Sequence, residues 1–134
     1  MSRLFFNPFT GNYYILRRKP RHAQVGPEVE RLRAQAKAEL PGRLATLAAE
    51  HGFAYNKLTI KNNVSNWGSC SSKGNINLNL RVVTLPQELQ DYVMLHELCH
   101  LRHLNHGPKF HELLETVCPG HRDLSRQLKD YKIK

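Results

Sequence analysis

Apolar positions along the chain change period twice, and the changes divide it into three stretches. From Pro27 onward, Val29, Leu32, Ala36 and Leu40 recur at helical spacing, as do Leu44, Leu47 and Ala48 until Gly52 stops the pattern. Pro27 suits a first helical turn, and Glu28 and Glu30 complement its dipole, so residues 27–51 read as helical. Pro41 either kinks one long helix or opens a second. From Lys57 the period becomes two: Leu58 and Ile60 alternate with polar residues, and Asn75, Ile76, Asn77, Leu78, Asn79 and Leu80 alternate strictly. Lys73-Gly74 separates the halves, and Gly74 can take the positive φ of a tight turn. Residues 57–81 therefore read as strands, with an antiparallel hairpin over 66–81 that buries one face.

Pro86 opens the most apolar helix, over residues 86–104. Leu89, Tyr92, Val93, His96 and His100 share one stripe, while Leu95, Leu98, Cys99 and Leu101 cover much of the rest, which predicts a central, buried helix. Pro108 begins another helix with Phe110, Leu113, Leu114 and Val117, closed by Pro119-Gly120, and a polar helix follows over 121–131. At the amino terminus, residues 13–17 read as a short strand that Phe5, Phe6 and Phe9 dock on the body, or the first 22 residues form a basic arm. With no repeat and no low-complexity linker, nothing divides the chain, and residues 1–134 read as one domain.

Composition narrows the class. The chain has 134 residues and 40% hydrophobic content, enough for a real core. Its apolar runs fall far short of the ~20 residues a membrane span needs. Asn7, Pro8 and Gly11 interrupt any signal-peptide core, so a cytoplasmic setting without a membrane partner is expected. Cys70, Cys99 and Cys118 are too few, and odd in number, for a disulfide framework. Twenty Lys and Arg against 11 Asp and Glu give a net charge of +9, and the excess is uneven. Arg3, Arg17, Arg18, Lys19 and Arg21 occur with no acid in residues 1–27, and Lys57, Lys61, Lys73 and Arg81 with none between Glu50 and Glu88. Such a balance points either to a nucleic-acid or other polyanionic partner or to a surface charged for solubility.

Histidine changes the picture most, because five of eight (His96, His100, His103, His106 and His111) fall within sixteen residues. His96-Glu97-Leu98-Cys99-His100 is an H-E-x-x-H sequence: residues four apart on a helix are neighbours on one face, so both imidazoles can reach one cation. Two histidines and a carboxylate in an apolar helix each need a partner if buried, and a zinc site with a polarised water supplies one for all three. The third ligand is His106 by the metzincin spacing H-E-x-x-H-x-x-x-x-x-H, with His103 in place of the metzincin glycine. Asn105 and Gly107, which tolerate positive φ, would then turn the chain. Glu112, Glu115 and His111 compete for that third position. Tyr92, Tyr131, Arg102 and His103 are candidates for stabilising an oxyanion. Trp67 reads as packing between hairpin and helix, and Cys70 and Cys99 as small core residues.

The succession Trp67-Gly68-Ser69-Cys70-Ser71-Ser72-Lys73-Gly74-Asn75-Ile76, then Leu78-Asn79, Arg81, Pro86, Tyr92-Val93, His96-Glu97-Leu98-Cys99-His100-Leu101 and Asn105-His106 with Phe110, resembles the YgjP-like zinc metallopeptidases, relatives of the SprT and WLM zincins. The similarity covers about residues 58–116, and the pairing of W-G-S-C with H-E-L-x-H-L is specific. It implies a small zincin-like α+β domain, an antiparallel or mixed sheet packed on the central H-E-x-x-H helix, in which His96, His100 and His106 hold zinc and Glu97 is the catalytic acid/base. Lys61 stands where the family usually has arginine, and His111 where it usually has tryptophan.

The expected function is a zinc-dependent peptidase. Glu97 takes a proton from a zinc-activated water, the hydroxide attacks a peptide carbonyl, and the proton passes to the leaving amine. An extended peptide would bind by strand addition along the hairpin edge, with Asn77 and Asn79 near it. The rival is a metal-stabilised module that binds nucleic acid through its basic segments, possessing or lacking activity on DNA-bound proteins. Hydrolysis of another carbonyl substrate would use the same site.

Overall fold

The computed structural model describes the backbone of residues 4–7 and 12–15 and the full residues 25–131 and 133. Leu4–Asn7 (β1) and Asn12–Ile15 (β2) pair antiparallel, Leu4 opposite Ile15 and Asn7 opposite Asn12, so a hairpin stands where the sequence also allowed an arm. Phe9 and the bases Arg3, Arg17, Arg18, Lys19 and Arg21 lie outside the described residues, as do the side chains of Phe5 and Phe6.

One helix, Pro27–His51 (α1), covers the first periodic stretch and continues unbroken past Pro41, which sits on its exposed side. Proline opens it, and Gly52, at φ 72°, closes it in the left-handed conformation that glycine adopts at little cost. Val29, Ala36, Leu40, Leu44, Leu47 and Ala48 form its buried stripe.

Lys57–Lys61 (β3), Gly68–Cys70 (β4) and Asn75–Asn79 (β5) form a three-stranded mixed sheet in the order β3-β5-β4. β4 and β5 are the predicted antiparallel hairpin, with Gly68 opposite Leu78 and Gly74 at φ 79° in the turn. β3 pairs parallel to β5, Leu58 opposite Ile76 and Ile60 opposite Leu78. The alternation therefore turns Ile76 and Leu78 into the core, leaving β5 central and β4 at an edge. Leu80–Thr84 tightens into a 3-10 turn instead of extending the strand, because Asn79 caps it by accepting a hydrogen bond from the Arg81 N–H.

The apolar helix is Gln87–Cys99 (α2), and every residue from Tyr92 to His100 is buried. Pro108–Val117 (α3) and His121–Leu128 (α4) follow. α2 contacts α1, α3, α4 and the sheet, which makes it the centre of one hydrophobic cluster. Arg43 of α1 grips Asp91 of α2 with a two-pronged ion pair at 2.9 and 2.7 Å. Among the described residues no helix is long and apolar enough to cross a membrane.

Candidate metal centre

α2 ends five residues earlier than the apolar pattern suggests. After Cys99 the backbone tightens into shorter-range bonds, Leu101 N–H to Leu98 and Arg102 N–H to Cys99, and His100 Nδ1 meets the His103 carbonyl at 2.9 Å. This local bond orients the His100 ring while it unwinds the helix. The chain then returns to deliver His106 without left-handed backbone: the positive φ expected of Asn105 or Gly107 does not occur, and Gly107, at φ −77°, is held by its N–H on Asn105 Oδ1.

The result is a convergence of three imidazoles. His96 and His100 project from one face of α2, and His106 arrives from the following loop. One ring nitrogen of each lies within 4.8 Å of the others, and His96 Nε2 and His106 Nε2 are 3.1 Å apart. Two nitrogens bound tetrahedrally at 2.0–2.1 Å to one ion would stand about 3.3 Å apart, so the spacing fits a shared cation. Burial pushes both His100 and His106 down to about 4, which keeps their rings neutral and able to donate a lone pair. The residues therefore suit a divalent metal ion.

Packing supports each ring from behind. Phe110 of α3 stacks on His100 at a centroid distance of 4.4 Å and 20°, and meets His106 and His96 edge-on at 4.6 and 5.1 Å. The Tyr92 hydroxyl lies 3.4 Å from His96 Nδ1, one helical turn earlier on the same face. Of the three histidines only His106 reaches the surface, so the site opens on its side.

Glu97 is completely buried beside this cluster, and neither carboxyl oxygen has a hydrogen-bond partner among the described residues. Burial alone raises its carboxyl well above the usual carboxylate range. Gly68 of β4 packs directly on it: a β-carbon there would stand 3.1 Å from Glu97 Oε2, 3.2 Å from Glu97 Cγ and 3.1 Å from the Asn77 carbonyl oxygen. Gly68 is thus needed for close approach, a role that a glycine within a strand pattern signals in general terms.

The other candidates fall elsewhere. Glu112 and Glu115 are exposed on α3, and Glu115 pairs with buried His121 at 3.2 Å. His111 is exposed, its ring 6.1 Å from that of His106 and stacked on His121 at 5.9 Å. None of the three belongs to the convergent group. Tyr92 is turned toward the back of His96 instead of an opening, Arg102 is spent on the Gly52 carbonyl at 2.8 Å and the Phe53 ring, and Tyr131 is exposed past α4. Asn77 and Asn79 lie on the central strand; Asn77 donates to Ser69 Oγ and Asn79 to the carbonyls of Asn63 and Asn66. Lys57, Lys61 and Lys73 are exposed, but Arg81 is buried and leaves the basic surface, burial lowering its pKa. Cys99 and Cys118 are buried, Cys70 is half-buried, and all three are free. Burial and the nearby Glu97 push the Cys70 thiol up to about 12.

The chain matches the YgjP-like, metallopeptidase domain family over residues 11–131. None of the curated proteins shares significant sequence similarity with it. Among solved structures it resembles the metallopeptidase zymogen of Pyrococcus abyssi abylysin, at 25% identity and a TM-score of 0.57, over 76% of this chain and 93% of that one. A match over nearly the whole chain, with the histidine cluster and the shared α+β fold, identifies this protein as a member of the YgjP-like metallopeptidase family.

Proposed function

We propose that the protein is a zinc-dependent peptidase in which His96, His100 and His106 hold the zinc ion and Glu97 is the general acid/base. The observation that carries this reading is the convergence of three imidazoles, two of them held neutral by burial, beside a buried carboxyl that has no hydrogen-bond partner among the described residues. All-nitrogen ligation with three protein donors suits zinc and leaves the open position of a catalytic site. When bound, zinc supplies Lewis acidity, lowering the pKa of water toward ~7 and polarising the scissile carbonyl.

The chain's own residues do the rest. Glu97 takes the proton of the attacking water on a carboxyl oxygen and returns it to the nitrogen of the leaving amine. Burial raises this carboxyl above the usual carboxylate range, which helps it hold the proton between the two transfers. The His103 carbonyl fixes the ring orientation of His100, and Tyr92 supports His96 from Nδ1. Phe110 packs against all three imidazoles and limits their freedom to turn. The peptide lies extended along the outer edge of β4, where main-chain hydrogen bonds give affinity with little sequence demand.

Chelator treatment followed by metal return tests this reading. Stripped protein should lose cleavage of an unfolded protein substrate, and zinc should restore it. Cleavage that survives complete removal of metal would overturn it.

A further inference from the structure

Two buried polar residues, one ending β5 and one in the 3-10 turn that follows, take no part in this chemistry, yet they are tied to the strand that packs on Glu97. Asn79 is 1% exposed and Arg81 6%. Asn79 is bonded through its main-chain N–H and both ends of its side-chain amide. Its backbone N–H donates to the Trp67 carbonyl at 2.8 Å, its Nδ2 donates to the carbonyls of Asn63 and Asn66 at 2.6 and 3.0 Å, and its Oδ1 accepts the Arg81 N–H at 3.0 Å. Arg81 extends the grip, its Nη1 donating to Asn62 Oδ1 at 2.9 Å and lying 3.5 Å from the Asn63 carbonyl.

No acid pairs with this guanidinium among the described residues, and burial works against its charge. Its hydrogen bonds to the loop are what offset that cost. The loop is also folded on itself, since Asn63 Oδ1 accepts from the Ser65 N–H at 2.6 Å and from Ser65 Oγ at 2.8 Å. From Asn66 the chain passes through Trp67 directly to Gly68, whose missing side chain is what lets β4 touch Glu97. With no hydrogen bond to fix the carboxyl among the described residues, packing has to do so.

We propose that Asn79 and Arg81 are positioning residues that clasp loop 62–66, keep Gly68 seated on Glu97, and so hold the carboxyl in place beside the three imidazoles. The proposal rests on the peptidase reading above and adds the device that orients its acid/base.

The test is Asn79→Asp in the full-length, zinc-loaded protein. The change keeps size and the acceptor for the Arg81 N–H, but replaces the donor to the Asn63 and Asn66 carbonyls with an acceptor. Trp67, the chain's single tryptophan, reports the segment by its emission. The variant should keep about one zinc per chain. Trp67 emission should shift to longer wavelength and become easier to quench with acrylamide. On a peptide substrate kcat should fall about 10- to 100-fold, with KM changed by less than about threefold. Arg81→Lys, which retains charge but loses the fork, should move both readouts the same way by less and serves if Asn79→Asp folds poorly. Asn56→Ala, which removes a bond from just before β3 to Asn75 at the other end of β5, should move neither. Wild-type kcat in Asn79→Asp, or a loss of kcat fully matched by lost zinc or lost folded protein, would overturn the proposal. Should the wild type cleave no peptide, the peptidase reading fails on its own, and unchanged Trp67 emission in Asn79→Asp would separately overturn the clasp.

Discussion

Gly68 and Glu97 are in direct contact across the sheet–helix junction, close enough that any β-carbon at position 68 would press within 3.1 Å of Glu97 Oε2. One of the other atoms it would meet, the Asn77 carbonyl oxygen, is backbone and cannot swing aside. Gly68→Ala should therefore lift β4 or displace the carboxyl, costing about 1–3 kcal/mol of stability. Zinc content should stay at the wild-type level while kcat falls by about tenfold or more. Denaturant melts, metal analysis and steady-state kinetics on one preparation check all three.

The raised carboxyl of Glu97 has a consequence for the metal-free protein. Its folded-state pKa lies above the unfolded value, so the native state binds the proton more tightly than the unfolded chain does. The stability it contributes is present below the unfolded carboxyl value and is lost as pH rises through the folded one. Glu97→Gln removes that loss. Stripped of metal, the variant should melt above stripped wild type at pH 8 by about 4 °C or more, and the gap should close toward pH 4.5. Thermal melts across that range decide it.

His100 and His106 run the opposite way. Their folded values of about 4 lie below the ordinary 6.5, so the metal-free protein loses stability as pH falls from about 6.5 toward 4 and unfolded histidines take up protons. Replacing His100 with Gln should flatten this acid limb, which melts between pH 4 and 7 will show.

His106→Ala should weaken zinc binding strongly, whereas Glu112→Ala, Glu115→Ala and His111→Ala should keep about one zinc per chain. Tyr92→Phe removes the hydroxyl behind His96 and should lower zinc affinity about 10- to 100-fold with little change in fold. Competition with a chromophoric chelator ranks all five.

The elements with local signals were legible in the sequence. Pro27 and Gly52 bracket α1 as the apolar period requires, and Gly74 marks the β4–β5 turn. H-E-x-x-H put two imidazoles on one face because helical spacing alone does that. What the sequence did not carry is set by nonlocal contacts or by competition between side chain and backbone. The parallel pairing of β3 with β5 joins segments fourteen or more residues apart, α2 ends early because His100 bonds the His103 carbonyl, and Arg81 leaves the surface because Asn62 and Asn63 come to meet it. Tyr92 illustrates the limit: its i, i+4 relation to His96 was visible, but not that its hydroxyl would face Nδ1, on the side of the ring away from His106.

Under the proposed mechanism Glu97 transfers the proton at a site whose metal it does not hold. Zinc stoichiometry and peptide hydrolysis measured together on wild type and Glu97→Gln separate the two roles. Both proteins should carry about one zinc, and the variant's kcat/KM should fall by about 10²–10⁴-fold. A folded wild type that binds no zinc, or a zinc-loaded Glu97→Gln that cleaves as fast as wild type, would contradict it.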